Sequence, residues 1–301
     1  DSTGTGSYAL PFETIAQAMS NAATRAVLFP GIYTGAGNRN ITVPTSCKAM
    51  VGIEGADTTI IDCEALGEGL TAGVGISTFL LRGITIRNAR GYSGAALQVP
   101  VYGVLTVDQC RFEDNAATNY GGAISLRGNS LTLIDTSFVS NRSDNGGAIH
   151  MHSIGFPNDC EANRCTFSGN SADRYGGVFF MFGPSQEVEL KSCVLDNNTA
   201  GTEASVANLG NYGTFKLLSC TLAGNMSTNG GLIHGYSSVT IKNSILWDSA
   251  PGAVVVGASS TSITYCDIEN WTGGGTGNIA LDPLFADSNY RIKPMSPCRR
   301  V

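Results

Sequence analysis

Short segments in which hydrophobic and polar residues alternate recur along most of this chain. Residues 104–112, 131–138 and 238–245 are examples, and each is rich in strand-forming residue types. Alternation with a period of two is typical of a β-strand that buries one face. Clusters of Asn, Gly, Ser and Asp separate these segments, and a helical pattern of useful length occurs only near residues 11–23. The pattern therefore predicts an all-β protein made of many short strands.

The strand segments belong to a repeat. In five copies an apolar residue is followed three positions later by asparagine, and in four of them a Gly-Gly pair and two apolar residues follow. The first residues of successive copies are 26, 29, 28, 27 and 23 residues apart. This period predicts a solenoid, here a right-handed parallel β-helix in which equivalent strands lie about 4.8 Å apart. The copies begin at Phe112, Phe138, Phe167, Leu195, Leu222 and, in a decayed form, Ile245.

Stacking the copies assigns a physical role to each repeated position. The apolar residue that begins each copy is expected to point into the lumen, and the small residue two positions earlier shares that face. The asparagines are expected to form a side-chain ladder inside a turn, with left-handed backbone geometry. The Gly-Gly pair allows positive φ or close backbone approach at the next corner. The small residues are Cys110, Thr136, Cys165, Cys193, Cys220 and Asn243, and the asparagines are Asn115, Asn141, Asn170, Asn198 and Asn225.

The two ends of the chain are predicted to close the solenoid, which we expect to be a single domain over residues 1–301. Residues 11–23 predict a helix that begins at Pro11 and covers the open lumen, followed by a first strand at residues 26–33. The turns of the solenoid are then expected over residues 34–281. Prolines and irregular spacing predict a C-terminal cap over residues 282–301.

The composition excludes some classes of partner. Charged residues make up only 14% of the chain, and the formal net charge is −6. Such a chain lacks a basic patch that could neutralise phosphates, so we expect no nucleic-acid partner. It also lacks an apolar run of the roughly 18 residues that a membrane-spanning helix needs, so we expect no direct membrane insertion.

Nine cysteines guarantee at least one free thiol within the chain. Cys165, Cys193 and Cys220 occupy consecutive copies of the small-residue position and are expected to be reduced residues that fill the lumen. Six cysteines are candidates for disulfides, because they lie outside that run or, like Cys165, at its edge. The candidate pairs are Cys47 with Cys63, Cys160 with Cys165, and Cys266 with Cys298.

The titratable residues do not predict a catalytic centre. Cleavage of a glycosidic bond needs two carboxylates that converge on one groove, whereas the acidic residues here are scattered. Asp159, Glu161 and Arg164 come closest to a lyase-like set, but we interpret them as solvated charges. His150 and His234 share one repeat position about 14 Å apart, with Phe180 and Ala207 assigned between them, and predict a surface column of residues rather than a metal site. We therefore expect no metal and no cofactor.

Aromatic residues at turns are better candidates for ligand contact, because their rings stack on sugar faces and anchor protein contacts. The candidates are Tyr120, Tyr175, Tyr212 and Trp271.

Five Asn-x-Ser/Thr sequences are present. Asn141 and Asn225 belong to the predicted ladder and should be inaccessible. The candidate glycosylation sites are therefore Asn40, Asn197 and Asn270.

The paired signatures Phe-x-x-Asn and Gly-Gly-Ala-Ile, seen at residues 112–124 and 138–149, resemble the repeat of the chlamydial polymorphic outer membrane proteins. Residues 1–7 and 282–285 are similar to segments of secreted right-handed β-helix repeat proteins. The resemblance implies an extracellular or cell-surface passenger domain with a role in adhesion.

We therefore expect a non-catalytic β-helix module, adhesive or structural, that presents its turn loops to a glycan or protein partner. Self-association is a further expectation. Two alternatives remain open at this point: a polysaccharide-active lyase or glycoside hydrolase, and a subunit of an extracellular filament.

Overall fold

A computed structural model describes residues 4–21, 24–73, 75, 77–99, 103–127, 129–153, 158–183, 186–210, 213–229, 231–249 and 254–300. The chain is a right-handed parallel β-solenoid with very little helix, so the predicted fold class is confirmed. In the described residues, each turn except the last contributes a strand to sheet A, then one to sheet B and one to sheet C, and the last contributes only to A and B. The middle turns add a short strand of sheet D between B and C. All strand pairs within these sheets are parallel and join residues of neighbouring turns.

The strand bounds follow the order of the turns within each sheet. In the described residues, sheet A contains Arg25–Leu28, Ala49–Gly52, Thr78–Arg82, Gly103–Asp108, Asn129–Ile134, Asn158–Asn163, Gln186–Lys191, Gly213–Leu218, Ser238–Lys242 and Ser260–Thr264. Sheet B contains Gly31–Tyr33, Thr59–Asp62, Thr85–Arg87, Arg111–Glu113, Ser137–Val139, Thr166–Ser168, Val194–Asp196, Thr221–Ala223, Ile245–Trp247 and Asp267–Ile268.

Sheet C contains Ile41–Val43, Leu70–Ala72, Leu97–Val99, Ile124–Arg127, Ile149–His152, Phe179–Phe182, Ala207–Leu209, Ile233–Gly235 and Val255–Val256. Sheet D contains Arg90–Ser93, Ala116–Tyr120, Arg142–Asn145, Ser171–Tyr175, Thr199–Ala200 and Met226–Ser227.

The lumen holds the hydrophobic core. Phe112, Phe138 and Phe167 lie directly above one another in sheet B, with ring centroids 5.0 Å apart in both pairs. Leu195 and Leu222 continue this column, and all five side chains are fully buried. Each turn adds such side chains to the one before, so burial of apolar surface stabilises every interface between turns.

The last predicted copy is displaced by one residue. Leu246, rather than Ile245, pairs with Leu222 and is buried, whereas Ile245 is partly exposed on the outer face. Ser244 accordingly replaces the expected Asn243 as the small lumenal residue, and its hydroxyl accepts a hydrogen bond from the Cys220 amide. Ile245 and Leu246 are both apolar, so alternation alone could not show which of them points into the lumen.

The asparagine ladder is present. Each side-chain amide except the last donates to the side-chain oxygen of the next asparagine over 2.9 to 3.0 Å, and each also donates to a backbone carbonyl of the previous turn. The expected left-handed geometry was assigned to the wrong residue, because positive φ occurs one position earlier, for example at Asp114 and Ser140. The ladder residues are Asn115, Asn141, Asn170, Asn198 and Asn225, all 0% exposed.

The N-terminal helix is shorter than predicted and spans Ile15–Ser20. Thr14 caps it by accepting a hydrogen bond from the Gln17 amide, so the helix does not begin at Pro11. Ile15 and Met19 are buried against the first turn, as a lumen cap requires. The predicted first strand over residues 26–33 is two strands separated by a corner, because the chain there already turns from sheet A into sheet B. A short 3₁₀ helix, Ala36–Asn38, follows.

The C-terminal region contacts the solenoid both at its open end and along sheet B. Trp271 packs against the core at that end of the lumen, and Ile279 bridges to Asp267 of the last turn. Residues 282–300 return toward sheet B: the Tyr290 hydroxyl lies 3.5 Å from the carboxylate of Asp196, three strands back. The segment ends in the 3₁₀ helix Pro297–Arg300.

All nine cysteines carry free thiols, so the candidate disulfides Cys47 with Cys63, Cys160 with Cys165 and Cys266 with Cys298 are not formed in the structure. Cys165 and Cys193 are buried lumenal residues in consecutive turns, as expected of reduced fillers. Cys298 donates instead to the carboxylate of Asp267 over 2.9 Å.

Candidate functional site

The four predicted contact residues are not equivalent. Tyr120 and Tyr175 end strands of sheet D at the corner that leads into sheet C, and both are partly exposed. Trp271 packs against the core, and its buried indole nitrogen has no hydrogen-bond partner in the described residues. Tyr212 lies outside the described residues. The structure thus brings two of the four candidates to one region.

Tyr120 and Tyr175 belong to a continuous aromatic stack with His150 and Phe180. The Tyr120 and His150 rings lie 4.5 Å apart at an interplanar angle of 21°, and His150 and Phe180 lie 5.8 Å apart at 17°. Tyr175 stacks on Phe180 at 6.3 Å, and Tyr120 lies 6.1 Å from Phe180. These ring contacts, within one turn and between turns, brace the corner.

His150 was predicted to lie on the surface, but its side chain is only 5% exposed. Its Nδ1 lies 3.0 Å from the Ser125 hydroxyl, which is itself hydrogen-bonded to Ser93. Burial lowers the pKa of His150 to about 3, and the nearby His152 and Arg127 add to this effect. His150 is therefore neutral near pH 7 and serves as a packed aromatic ring.

The outer column of sheet C differs from the prediction in one residue. Phe180 pairs with Asn208, and Asn208 pairs with His234, so Asn208 occupies the place assigned to Ala207. Ala207 points into the lumen and is fully buried. The turns differ in length, so only the strand pairing shows which residue of the fourth copy points outward. That copy has lost its Gly-Gly pair, and without it the sequence offers no landmark for aligning the copy with its neighbours.

A concave groove of about 530 Å³ lies on this outer face and is called the sheet C groove below. Phe182 and Tyr236 border it and are 56% and 66% exposed. Gly210, which follows the strand between theirs, contributes no side chain there. The other residues that line the groove are Tyr175, Phe180, Met181, Gly183, Glu203, Asn208, Leu209, His234 and Gly235.

Polar groups lie between these apolar walls. The Nδ1 atom of His234 is 3.2 Å from a carboxylate oxygen of Glu203. The Asn208 side chain is half-buried and has no hydrogen-bond partner within the described part of the chain. Just outside the groove, the Arg174 guanidinium lies 5.0 Å from the centre of the Tyr175 ring and 3.5 Å from Asp144. The groove therefore combines flat apolar surfaces with a few oriented polar groups, which is typical of a ligand site.

Phe180, Phe182 and Tyr236 were not predicted as contacts. A signal was present, since residues 179–182 read Phe-Phe-Met-Phe and break the alternation of the strand. In a strand that buries one face, two of four consecutive apolar side chains must point outward. Here Phe179 and Met181 are buried, and Phe180 and Phe182 face the groove.

The lyase-like set lies elsewhere, and two of its three members, Glu161 and Arg164, form ion pairs. The Nε and Nη2 atoms of Arg164 donate to the two carboxylate oxygens of Asp135 over 2.7 and 2.8 Å, and Glu161 lies 3.2 Å from Lys191. Burial and the neighbouring Glu187 raise the pKa of Asp159. Within the described ranges no group of three or more His, Cys, Asp or Glu side chains could hold a metal ion.

The candidate glycosylation sites Asn40, Asn197 and Asn270 are exposed, and each has a positive φ at a turn. Asn141 and Asn225 are fully buried in the ladder, as predicted. Among the residues described, no helix has the length and hydropathy to cross a membrane.

Comparison with known proteins places the fold in a family. The sequence model described as "Right handed beta helix region" matches residues 40–244. The chain is also 27% identical over 135 residues to metabotropic glutamate receptor-like protein P of Dictyostelium discoideum, which covers 45% of this chain but only 9% of that protein. No solved structure matches the chain at a significant level. With most of the solenoid matched, the chain belongs to the right-handed β-helix family.

Proposed function

We propose that this chain is an extracellular or cell-surface recognition module that binds a glycan or protein partner in the sheet C groove without converting it chemically. One observation carries the proposal: two large aromatic side chains remain more than half exposed beside a concave surface. Exposed apolar area that borders a concavity marks interaction sites, because its burial by a partner is favourable.

The rigidity of the solenoid supports this function. The groove residues sit on parallel strands whose neighbours above and below hold them in register, and the aromatic stack fixes the adjoining corner. A pre-organised surface loses little conformational entropy on binding. This modifies the expectation from sequence, because the partner meets the face of a sheet as well as the turn loops.

Two similarities support the proposed location. The Phe-x-x-Asn and Gly-Gly-Ala-Ile repeats resemble those of chlamydial surface proteins associated with adhesion, and the partial relative in Dictyostelium carries a receptor-like name. Exposed Asn40, Asn197 and Asn270 would accept glycans in a eukaryotic secretory pathway.

Attachment of labelled protein to intact cells tests the proposal. We expect the double variant Phe182→Ala/Tyr236→Ala to bind at least tenfold more weakly than the unaltered chain. Tyr92→Ala is the matched control, because Tyr92 is 64% exposed in sheet D and lies outside the groove. Equal attachment of the double variant and the control would refute a role for the groove. Cleavage of any member of a glycan panel would refute the non-catalytic part of the proposal.

A further inference from the structure

The sheet C groove contains a slot between Phe182 and Tyr236. Phe182 ends a strand of sheet C, and Tyr236 follows the strand two turns later. Two strand spacings correspond to roughly 9.6 Å between the backbones that carry the two rings. Gly210 follows the intervening strand, so no side chain fills this gap.

The backbone spacing across Gly210 leaves room for a single ring beside Phe182, whose own ring contacts His152 of the preceding turn edge-on. Atoms in contact lie about 3.5–4 Å apart, so a flat ring between two aromatic side chains needs roughly 7–8 Å. Gly210 is required for this opening: a Cβ atom there would lie 2.8 Å from the carbonyl oxygen of Met181. The structure thus keeps a ring-sized space open with a backbone that does not tolerate a larger residue.

The groups beside the slot suit hydroxyls. The unpartnered amide of Asn208 offers both a donor and an acceptor, and the paired His234 and Glu203 offer further oriented polar atoms. A buried ligand hydroxyl needs such partners, because an unsatisfied polar group costs binding free energy. A pyranose has this combination of apolar C–H faces and a hydroxyl rim.

The charge of the site selects among sugars. Among the described residues that line the groove, Glu203 is the one acidic residue, and neither Lys nor Arg is present. An anionic sugar would therefore meet the Glu203 side chain, and Arg174 just outside the groove is already paired with Asp144, so its binding carries a free-energy cost.

We propose that the slot between Phe182 and Tyr236 binds one neutral hexopyranose unit of a polysaccharide, with its ring between the two aromatic side chains and its hydroxyls on Asn208, His234 and Glu203. This inference rests on the proposed recognition function and names its ligand class. It also predicts discrimination against uronic acid polymers.

The first test uses immobilised hexasaccharides of neutral sugars, namely β-1,4-glucan, β-1,3-glucan, mannan and chitin, with polygalacturonate as the acidic probe. We expect at least one neutral probe to bind and polygalacturonate to bind more weakly. Phe182→Ala and Tyr236→Ala should each lower the affinity for that neutral probe roughly tenfold, whereas Tyr92→Ala should leave it unchanged. Thermal unfolding of each variant verifies that the solenoid is intact, which is expected because both aromatic side chains are more than half exposed.

Two further variants address the polar groups. Asn208→Ala should weaken binding of the neutral probe while both rings remain in place. Glu203→Gln should reduce the preference for neutral sugar over polygalacturonate. A preference for polygalacturonate in the unaltered chain, or unchanged neutral binding in the two aromatic variants, would overturn the inference.

A cell-attachment experiment distinguishes failure of the sugar slot from failure of the proposed recognition function. If groove-dependent attachment survives periodate oxidation of the cell-surface sugars, and no neutral probe binds, the partner is a protein. The slot proposal then fails while the recognition function stands. If attachment does not depend on Phe182 and Tyr236, both fail.

Discussion

At the scale of single residues, the ladder asparagines show most clearly why the sequence repeats, because each one contacts an asparagine in an adjacent turn. Each ladder asparagine satisfies backbone and side-chain groups of the turns on both sides, for example Asn170 with Phe138, Asn141 and Asn198. Buried amides are tolerated only when their hydrogen bonds are complete. The repeat of Asn in the sequence therefore has a direct structural cause, and these residues are not available for binding.

His150 leads to a prediction on acid stability. Its pKa is lowered to about 3 by burial and by the charges of His152 and Arg127, whereas an unfolded histidine titrates near about 6.5. Between these values the unfolded chain binds a proton that the folded chain does not, so stability falls as the pH falls from about 6.5 toward 3. Replacement by Phe, the residue found at the next turn in Phe180, should remove this loss.

Urea unfolding of the unaltered chain and of His150→Phe at pH 7 and pH 4 measures the effect. We expect the unaltered chain to lose about 3 kcal/mol more unfolding free energy between these pH values than the variant does. Between pH 7 and pH 9 the difference in stability should stay constant, which serves as the internal control. An equal acid dependence in the two proteins would contradict the assigned burial of His150.

At the scale of elements, the corner between sheets D and C is defined by the Gly-Gly pair. Gly146 has φ +69, and a Cβ atom there would lie 2.5 Å from the carbonyl oxygen of Ile149. The next residue, Gly147, lies so close to the neighbouring turn that a Cβ would be 2.2 Å from the Gly177 carbonyl. The pair thus combines both roles expected from the sequence, first the positive φ and then the close approach.

The decayed fourth copy offers a matched pair of substitutions. Ala204 occupies the position of Gly146 two turns later and has φ 59, which is unfavourable for a residue with a side chain. We expect Gly146→Ala to lower the unfolding free energy by about 2 kcal/mol or more, and Ala204→Gly to raise it by up to about 1 kcal/mol. Denaturant unfolding measures both. Equal effects of the same sign would show that the corner geometry is not the cause.

At the scale of the whole molecule, the solenoid places nearly every cysteine inside. Burial raises the pKa of Cys63 and of Cys110 to about 12, and burial together with Asp267 raises that of Cys298 to about 12. Since the thiolate is the reactive form and eight of the nine thiols are buried, including Cys220, whose pKa its neighbour Cys193 lowers, the folded protein should react very slowly with a thiol reagent at pH 8.

Counting thiols tests the covalent state of the chain. We expect nine reactive thiols per chain after unfolding in denaturant without a reducing agent, in agreement with nine free cysteines. The same protein reduced before unfolding is the control. A count below nine before reduction and of nine after it would show that disulfides, such as the pairs first considered, do form.

The fold was largely predictable because equivalent residues in successive turns of a β-helix have the same surroundings. The columns at Phe112 and Asn115 could be read from spacing alone, since each position packs against its own copy in the next turn. Prediction from spacing failed at Ile245, because the adjacent Leu246 allowed a second register. It also failed at Asn208, because the fourth copy of the repeat has lost its Gly-Gly pair.

The site was predictable only in part. Tyr120 and Tyr175 were singled out as turn aromatics and lie at the correct corner, but Phe182 and Tyr236 follow no repeat. The groove arises because Gly210 falls between them in space, although the three residues are more than 50 positions apart from first to last. No local pattern relates such residues.

The sequence by itself determined the architecture of this protein: the period, the inward and outward faces, and the ladders. A residue in a solenoid must pack against the equivalent residues of the turns above and below. The same residue type is therefore required once in every turn, and the sequence shows it as a repeat. Only the tertiary structure decided the sheet C groove, the burial of His150 and the return of residues 282–300 toward sheet B. These features depend on contacts made once, between residues that share no period, and a single contact leaves no repeated pattern in the sequence.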